Sequence, residues 1–136
     1  MDIIGKTDRD RNAIPYIKIR QKGRKIRFSK KLTKGFPKPY TETKFGFAYD
    51  KEASKVYLVF LDDGLKIQKN GEASSKYHAD RIMFLLGEVV NEFYVNLESP
   101  QKVSDVVERY ELVPLTKERR MQLVNDAYDE SDDWLR

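Results

Sequence analysis

The 136-residue, 16.0 kDa chain holds 26 Lys/Arg, 22 Asp/Glu, no cysteine and one histidine, which excludes disulfides, Cys-zinc sites, iron–sulfur ligation, thiol catalysis and multi-histidine metal centres. No apolar run approaches the ~18 residues that span a bilayer and Met1–Lys6 carries no signal-peptide core, so the expectation is one soluble, cytoplasmic domain large enough to bury its own core. The charge is split: residues 1–44 hold 14 Lys/Arg and 4 Asp/Glu, the remainder 12 and 18, which assigns a polyanion-facing task to the front of the chain.

Residues 1–13 are polar and read as a flexible arm. Ile14–Arg20 alternates apolar and charged residues, the period of a half-buried strand. Gln21-Lys22-Gly23 turns the chain, and Arg24–Phe28 resumes the alternation, so the two form a hairpin. Successive side chains point to opposite faces. Ile17, Ile19, Ile26 and Phe28 share one face, and Tyr16, Lys18, Arg20, Lys25 and Arg27 the other. Ser29–Gly35 has the cap and stop of a single helical turn, and Pro37-Lys38-Pro39 makes a stiff loop. Phe45–Tyr49 is a third strand, and Lys55–Leu61, apolar on both faces, a central one. Asp62-Asp63-Gly64 is a turn before a short strand at Leu65–Gln68.

After Gly71 the spacing changes. Tyr77, Ile82, Leu85, Leu86, Val89, Val90 and Phe93 recur every three or four residues, which predicts an amphipathic helix over about residues 76–96. Ser99-Pro100 opens a second helix through Val103, Val106, Val107 and Tyr110, and Thr116 caps a third. The predicted fold is α+β: an N-terminal antiparallel hairpin or meander of about four or five strands, then about three C-terminal helices packing on the sheet. Within a single domain this gives a basic β-rich half (14–70), a helical half (74–130) and an acidic tail (131–136). The apolar content of residues 45–61 makes a homodimer plausible.

Residues 16–61 carry a basic strand (Ile19-Arg20), a turn, Gly23-Arg24 leading a second strand, a helical turn (Ser29-Lys30-Lys31-Leu32) and an apolar strand–turn–strand (Phe47–Asp50, Lys55–Leu58). That order resembles the swapped-hairpin DNA-binding domains of the AbrB type. The resemblance implies intertwined dimers and makes Arg20 and Arg24 the leading DNA contacts. It departs from the family at Phe28-Ser29, where a proline usually enters the helical turn, and in the long connection from Leu32 to Phe45.

No catalytic set emerges. There is no phosphate-cradling glycine loop and no G-x-S-x-G elbow. His78 lacks the positioned partner a general base needs. Asp62-Asp63 reads as a turn, and the Glu42-x-Lys44 spacing lacks the strand context of a metal-dependent nuclease. The expectation is therefore a non-enzymatic nucleic-acid-binding protein without cofactor or metal, a regulator favouring DNA over RNA. Its contacts are Tyr16, Lys18, Arg20, Lys22, Arg24, Lys25, Arg27, Lys30 and Lys31, on a ribbon able to enter a major groove. The alternative partner is a protein of nucleic-acid metabolism, with the chain acting as an inhibitor or adaptor.

Overall fold

The alternating hairpin folds as its pattern dictates. β1 (Tyr16–Arg20) and β2 (Lys25–Phe28) pair antiparallel, with Ile17 opposite Phe28 and Ile19 opposite Ile26. These four side chains are buried. The computed structural model describes residues 13–20, 24–86, 90–102 and 108–132, so most of the predicted arm, the turn residue Lys22, Val103, Val106, Val107 and the last four residues lie outside the described residues.

Ser29 ends β2 and caps α1 (Lys30–Lys34), which stops at Gly35. Its buried hydroxyl accepts from the amides of Tyr16 (2.9 Å) and Leu32 (3.3 Å) and donates to the Ile14 carbonyl (3.4 Å). One side chain thus satisfies a helix end and ties it to the start of β1. Leu32, the inward residue of the short helix, is fully buried.

A 3₁₀ turn at Tyr40–Glu42 leads into β3 (Lys44–Asp50), which pairs with β4 (Lys55–Phe60) and β5 (Leu65–Lys66). Gly64 is required where the turn returns against β3: a Cβ there would lie 2.3 Å from the Phe45 carbonyl oxygen. β4 is buried on both faces, as its composition predicts. The cover on the outward face comes from within the chain: the Arg109 guanidinium lies 3.9 Å from the centre of the Tyr57 ring.

The second half departs from its prediction. It contains β6 (Glu72–Ser74), α2 (Lys76–Leu86), β7 (Glu92–Tyr94), β8 (Gln101–Lys102), β9 (Glu108–Glu111), β10 (Val113–Pro114) and α3 (Lys117–Asp132). The expected succession of an N-terminal hairpin or meander and C-terminal helices is therefore corrected: among the described residues ten strands, spread through the chain, form two antiparallel sheets accompanied by three helices. The first sheet has the order β10-β7-β1-β2-β6 and the second β5-β3-β4-β9-β8.

The physical reason is visible around Phe93. The described part of the long helix runs from Lys76 to Leu86, and Phe93 and Val95 are both fully buried with Tyr94 between them, the period of a strand. Asn91 locks the chain to β1, its carbonyl accepting from the Ile19 amide (2.8 Å) and its side-chain amide donating to the Ile19 carbonyl (3.1 Å). Burying Phe93 in the sheet contributes about 1.5–3 kcal/mol, more than helix propensity recovers over the same few residues. Similarly, Tyr110, expected on a helix, sits in β9 opposite Leu58.

The inner faces of both sheets share one core. Phe28 of the first sheet meets Phe45 of the second edge to face at 4.8 Å. Phe47 and Phe36 extend this contact on either side, at 5.5 Å from Phe45 and 6.0 Å from Phe28. α2 seals the core with Ala79 and Ile82. A second, smaller cluster of Ile14, Tyr16, Leu115 and Val124 holds α3 on the outer face of the first sheet. No helix among the described residues is long and apolar enough to cross a membrane.

Ser29→Ala leaves the Tyr16 amide without its partner in a buried setting and strips the α1 cap. We expect a loss of about 2 kcal/mol in urea unfolding, with Ser29→Thr retaining most of it; a change within ~0.5 kcal/mol for the alanine variant contradicts this role.

Candidate nucleic-acid interface

With the isoleucines facing inward, the outer face of the first sheet receives the charges. The ladder registers place Glu92, Lys18, Arg27 and Glu72 in one row across β7, β1, β2 and β6. The next row holds Arg20, Lys25 and Ser74. On the other side, the row of Val113, Tyr94 and Tyr16 lies at the α3 end. Like charges directly opposite each other destabilise a sheet, and Lys18 opposite Arg27 is such a pair. Glu72, next to Arg27 on the flanking β6, offsets it.

Glu72 is the principal counter-charge. It is 5% exposed and receives Arg20 at 2.5 Å and Arg27 at 3.7 Å. Asn70 fixes it further, donating from its side-chain amide to Oε1 (3.3 Å) and accepting from the Glu72 backbone amide (3.1 Å). The hydrogen bond from Arg20, assisted by the charges of Arg20, Arg27 and Lys25, outweighs burial and holds the carboxyl below the usual carboxylate range.

A groove of about 1260 Å³ opens on this face. Lys18, Arg20 and Arg27 form its floor, and Lys30 and Lys34 approach from α1. Lys38, between its two prolines, and Lys69 complete seven cationic side chains. Tyr40 stands on the wall, its hydroxyl donating to the Lys69 carbonyl at 2.6 Å and so tying the proline loop to the Lys69–Gly71 turn. The carboxylate among the lining residues, Glu92, is engaged by Arg120 at 2.6 Å. Lys18, Lys30, Lys34, Lys38 and Lys69 form no ion pair with described residues. Positive charge is therefore in surplus.

Of the residues expected to make contacts, Lys18, Arg20, Arg27 and Lys30 come together here. Arg24 (φ 50°) is exposed in the hairpin turn and bonds Asp80 through Nε at 2.9 Å. Lys25 shares the outer face but lies outside the groove lining, as does the exposed Lys31. Lys22 lies outside the described residues.

Tyr16 is corrected. Its register does point it outward with the cations, but α3 covers it to 6% exposure and Arg120 sits 5.1 Å from its ring centre, so no base can stack on it. The predicted ribbon is corrected too. β7 and β6 occupy both long edges of the hairpin, and four strands spaced ~4.8 Å apart are too broad for a major groove ~12 Å wide. Lys34 closes the acid-free basic run that begins at Lys18, whereas Lys38, Lys69 and Glu72 lie outside it; the proline bracket around Lys38 is the one sequence signal that a cation there is held in place.

His78, which is not among the residues lining the groove, packs among Phe47, Tyr49 and Tyr77. Burial pushes its ring below the ordinary histidine range and pushes the Tyr49 hydroxyl up, with Tyr77 adding to the latter. The Tyr49 hydroxyl and His78 Nδ1 share a hydrogen bond in this pocket.

Comparison with protein-family models, curated proteins and solved structures finds no match to this chain.

Two pH dependences follow. A depressed carboxyl contributes stability above its unfolded value of ~4.3 and loses it as pH falls through its folded value. Urea midpoints should therefore drop between about pH 5 and pH 3, and drop less steeply in Glu72→Gln; superimposable profiles would remove Glu72 from the account. His78 also lowers stability as pH falls, because the unfolded ring takes a proton near pH ~6.5 that the folded ring refuses. Being the single histidine, it gives an unambiguous imidazole resonance by NMR, whose midpoint should lie below that of a free histidine.

Proposed function

We propose that this chain binds nucleic acid without catalysis, holding the phosphate backbone in the basic groove of its first sheet. The observation that carries this reading is the gathering of seven cationic side chains around one recess, five of them lysines without a carboxylate partner among the described residues. Such a concentration repels itself, and an external polyanion relieves the repulsion while releasing counterions. Arg20 and Arg27 contribute through a shared carboxylate, which leaves their pair with a net positive charge.

The test separates location from net charge. Replacing Lys18, Lys30, Lys34 and Lys69 by alanine should weaken oligonucleotide binding strongly. The slope of log K against log salt should also become shallower by roughly 3, at ~0.7–0.9 per phosphate lost. A control with Lys51, Lys66, Lys102 and Lys117 replaced removes the same charge from exposed positions outside the groove and should change the slope by less than ~1. Equal losses in fluorescence anisotropy for both variants would dismiss the groove as the site.

A further inference from the structure

We infer that the groove takes a single strand of nucleic acid and not a duplex. This rests on the nucleic-acid reading above and adds the form of the ligand. Three observations carry it.

The first is shape. The cations stand on the floor and walls of a recess. Tyr16, under α3, and Glu92 line it at one end, and the Pro37–Pro39 loop together with the Lys69–Gly71 turn line it elsewhere. Duplex phosphates lie on the outside of a rod that stays stiff over ~150 base pairs, so a duplex laid across the recess meets the exposed lysines of its rim, Lys30, Lys34, Lys38 and Lys69, but not the partly buried Lys18 on its floor. A single strand has rotatable bonds at each nucleotide and can follow the floor.

The second is size. At about 1260 Å³ the groove exceeds the ~300–1,000 Å³ usual for a small-molecule site. Its contacts come from β1, β2, α1, the proline loop and the Lys69 turn, a track along which several successive phosphates meet separate lysines.

The third is Tyr40. Tyr40 is a lining residue packed on one side against the core, and its hydroxyl is held by the Lys69 carbonyl. A ring fixed at its polar end and only partly buried offers a face to an unpaired base, and every base has a face to offer in return. In a duplex those faces are already stacked on one another. Single-stranded DNA and RNA share this chemistry.

The full chain is titrated against labelled oligonucleotides of about 12 units, a length within the usual footprint of single-strand sites: oligo-dT, oligo-rU and a mixed-sequence duplex, at low salt. We expect both single strands, or one of them, to bind at least about tenfold tighter than the duplex. Tyr40→Ala should weaken single-strand binding by roughly tenfold, the usual loss for one stacked base. Tyr40→Phe, which keeps the ring and loses only the hydroxyl bond, should stay within about threefold, and it keeps the stacking claim testable if the alanine variant unfolds. Duplex binding as tight as single-strand binding overturns this inference and leaves the groove reading standing. Absence of binding to any of the three overturns both. Preference for oligo-dT over oligo-rU, or the reverse, supports the inference and identifies the strand's sugar.

Discussion

Burying Ile17, Ile19, Ile26 and Phe28 on one side of a pair of adjacent strands is the constraint from which the rest follows. Strand side chains alternate without exception in such a ladder, so Lys18, Arg20, Lys25 and Arg27 have no choice of face. The inner face is in turn committed to the second sheet through Phe28 and Phe45. A slip of one residue would drive four cations into an aromatic core, at a cost far beyond the few kcal/mol by which a domain of this size is stable. The charged face is thus a consequence of the apolar one. β6 and β7, by pairing along both edges, turn what would be a flexible ribbon into a stiff floor.

Stiffness matters because the cations repel. Glu72 answers this with a buried carboxylate shared between two guanidinium groups. A buried ion pair is weak evidence for stability, since desolvation can consume the attraction. Its consequence here is geometric. One carboxylate, itself held by Asn70, fixes two arginine side chains that line the groove and neutralises only one of them. An arriving phosphate meets donors whose rotamer entropy has already been lost in folding, which is the advantage of a preorganised site.

The hairpin, the Ser29 cap, the Gly35 stop, the central strand at Lys55–Phe60 and the helix beginning at Lys117 were all legible from alternation, capping and composition. What failed was the reading of period. In the stretch from Tyr77 to Phe93 the three-and-four spacing of a helix and the two-residue spacing of a strand overlap, because Phe93 satisfies both. Only the partner decides, and that partner is Ile17, 76 positions earlier in the chain. β6 and β10, at three and two residues, are too short to leave a periodic trace. The site shows the same division. The cations of β1 and β2 were readable because local alternation places them. Lys38 and Lys69 reach the groove, and Glu72 reaches its arginines, through turns and pairings that no local pattern encodes. Tyr16 was placed on the correct face, but its cover comes from a helix a hundred residues away.

The acidic remainder of the chain raises the question of why it does not quench the groove. Part of its charge sits on the second sheet and its turns, after β3, at Asp62-Asp63 and on β9, while α3, on the outer face of the first sheet, carries acids beside its arginines. Two acids, Glu72 and Glu92, do lie on strands adjoining the basic pair. Glu92 stands opposite Lys18 in the ladder and would be its natural counter-ion, yet it bonds Arg120 of α3 at 2.6 Å. Arg120 also lies over Tyr16, so the contact that seats the helix on the sheet is the one that occupies Glu92. An arginine supplied by the acidic half thereby leaves Lys18 without a carboxylate partner among the described residues. The basic face therefore depends on α3, through Arg120, as much as on the basic strands themselves.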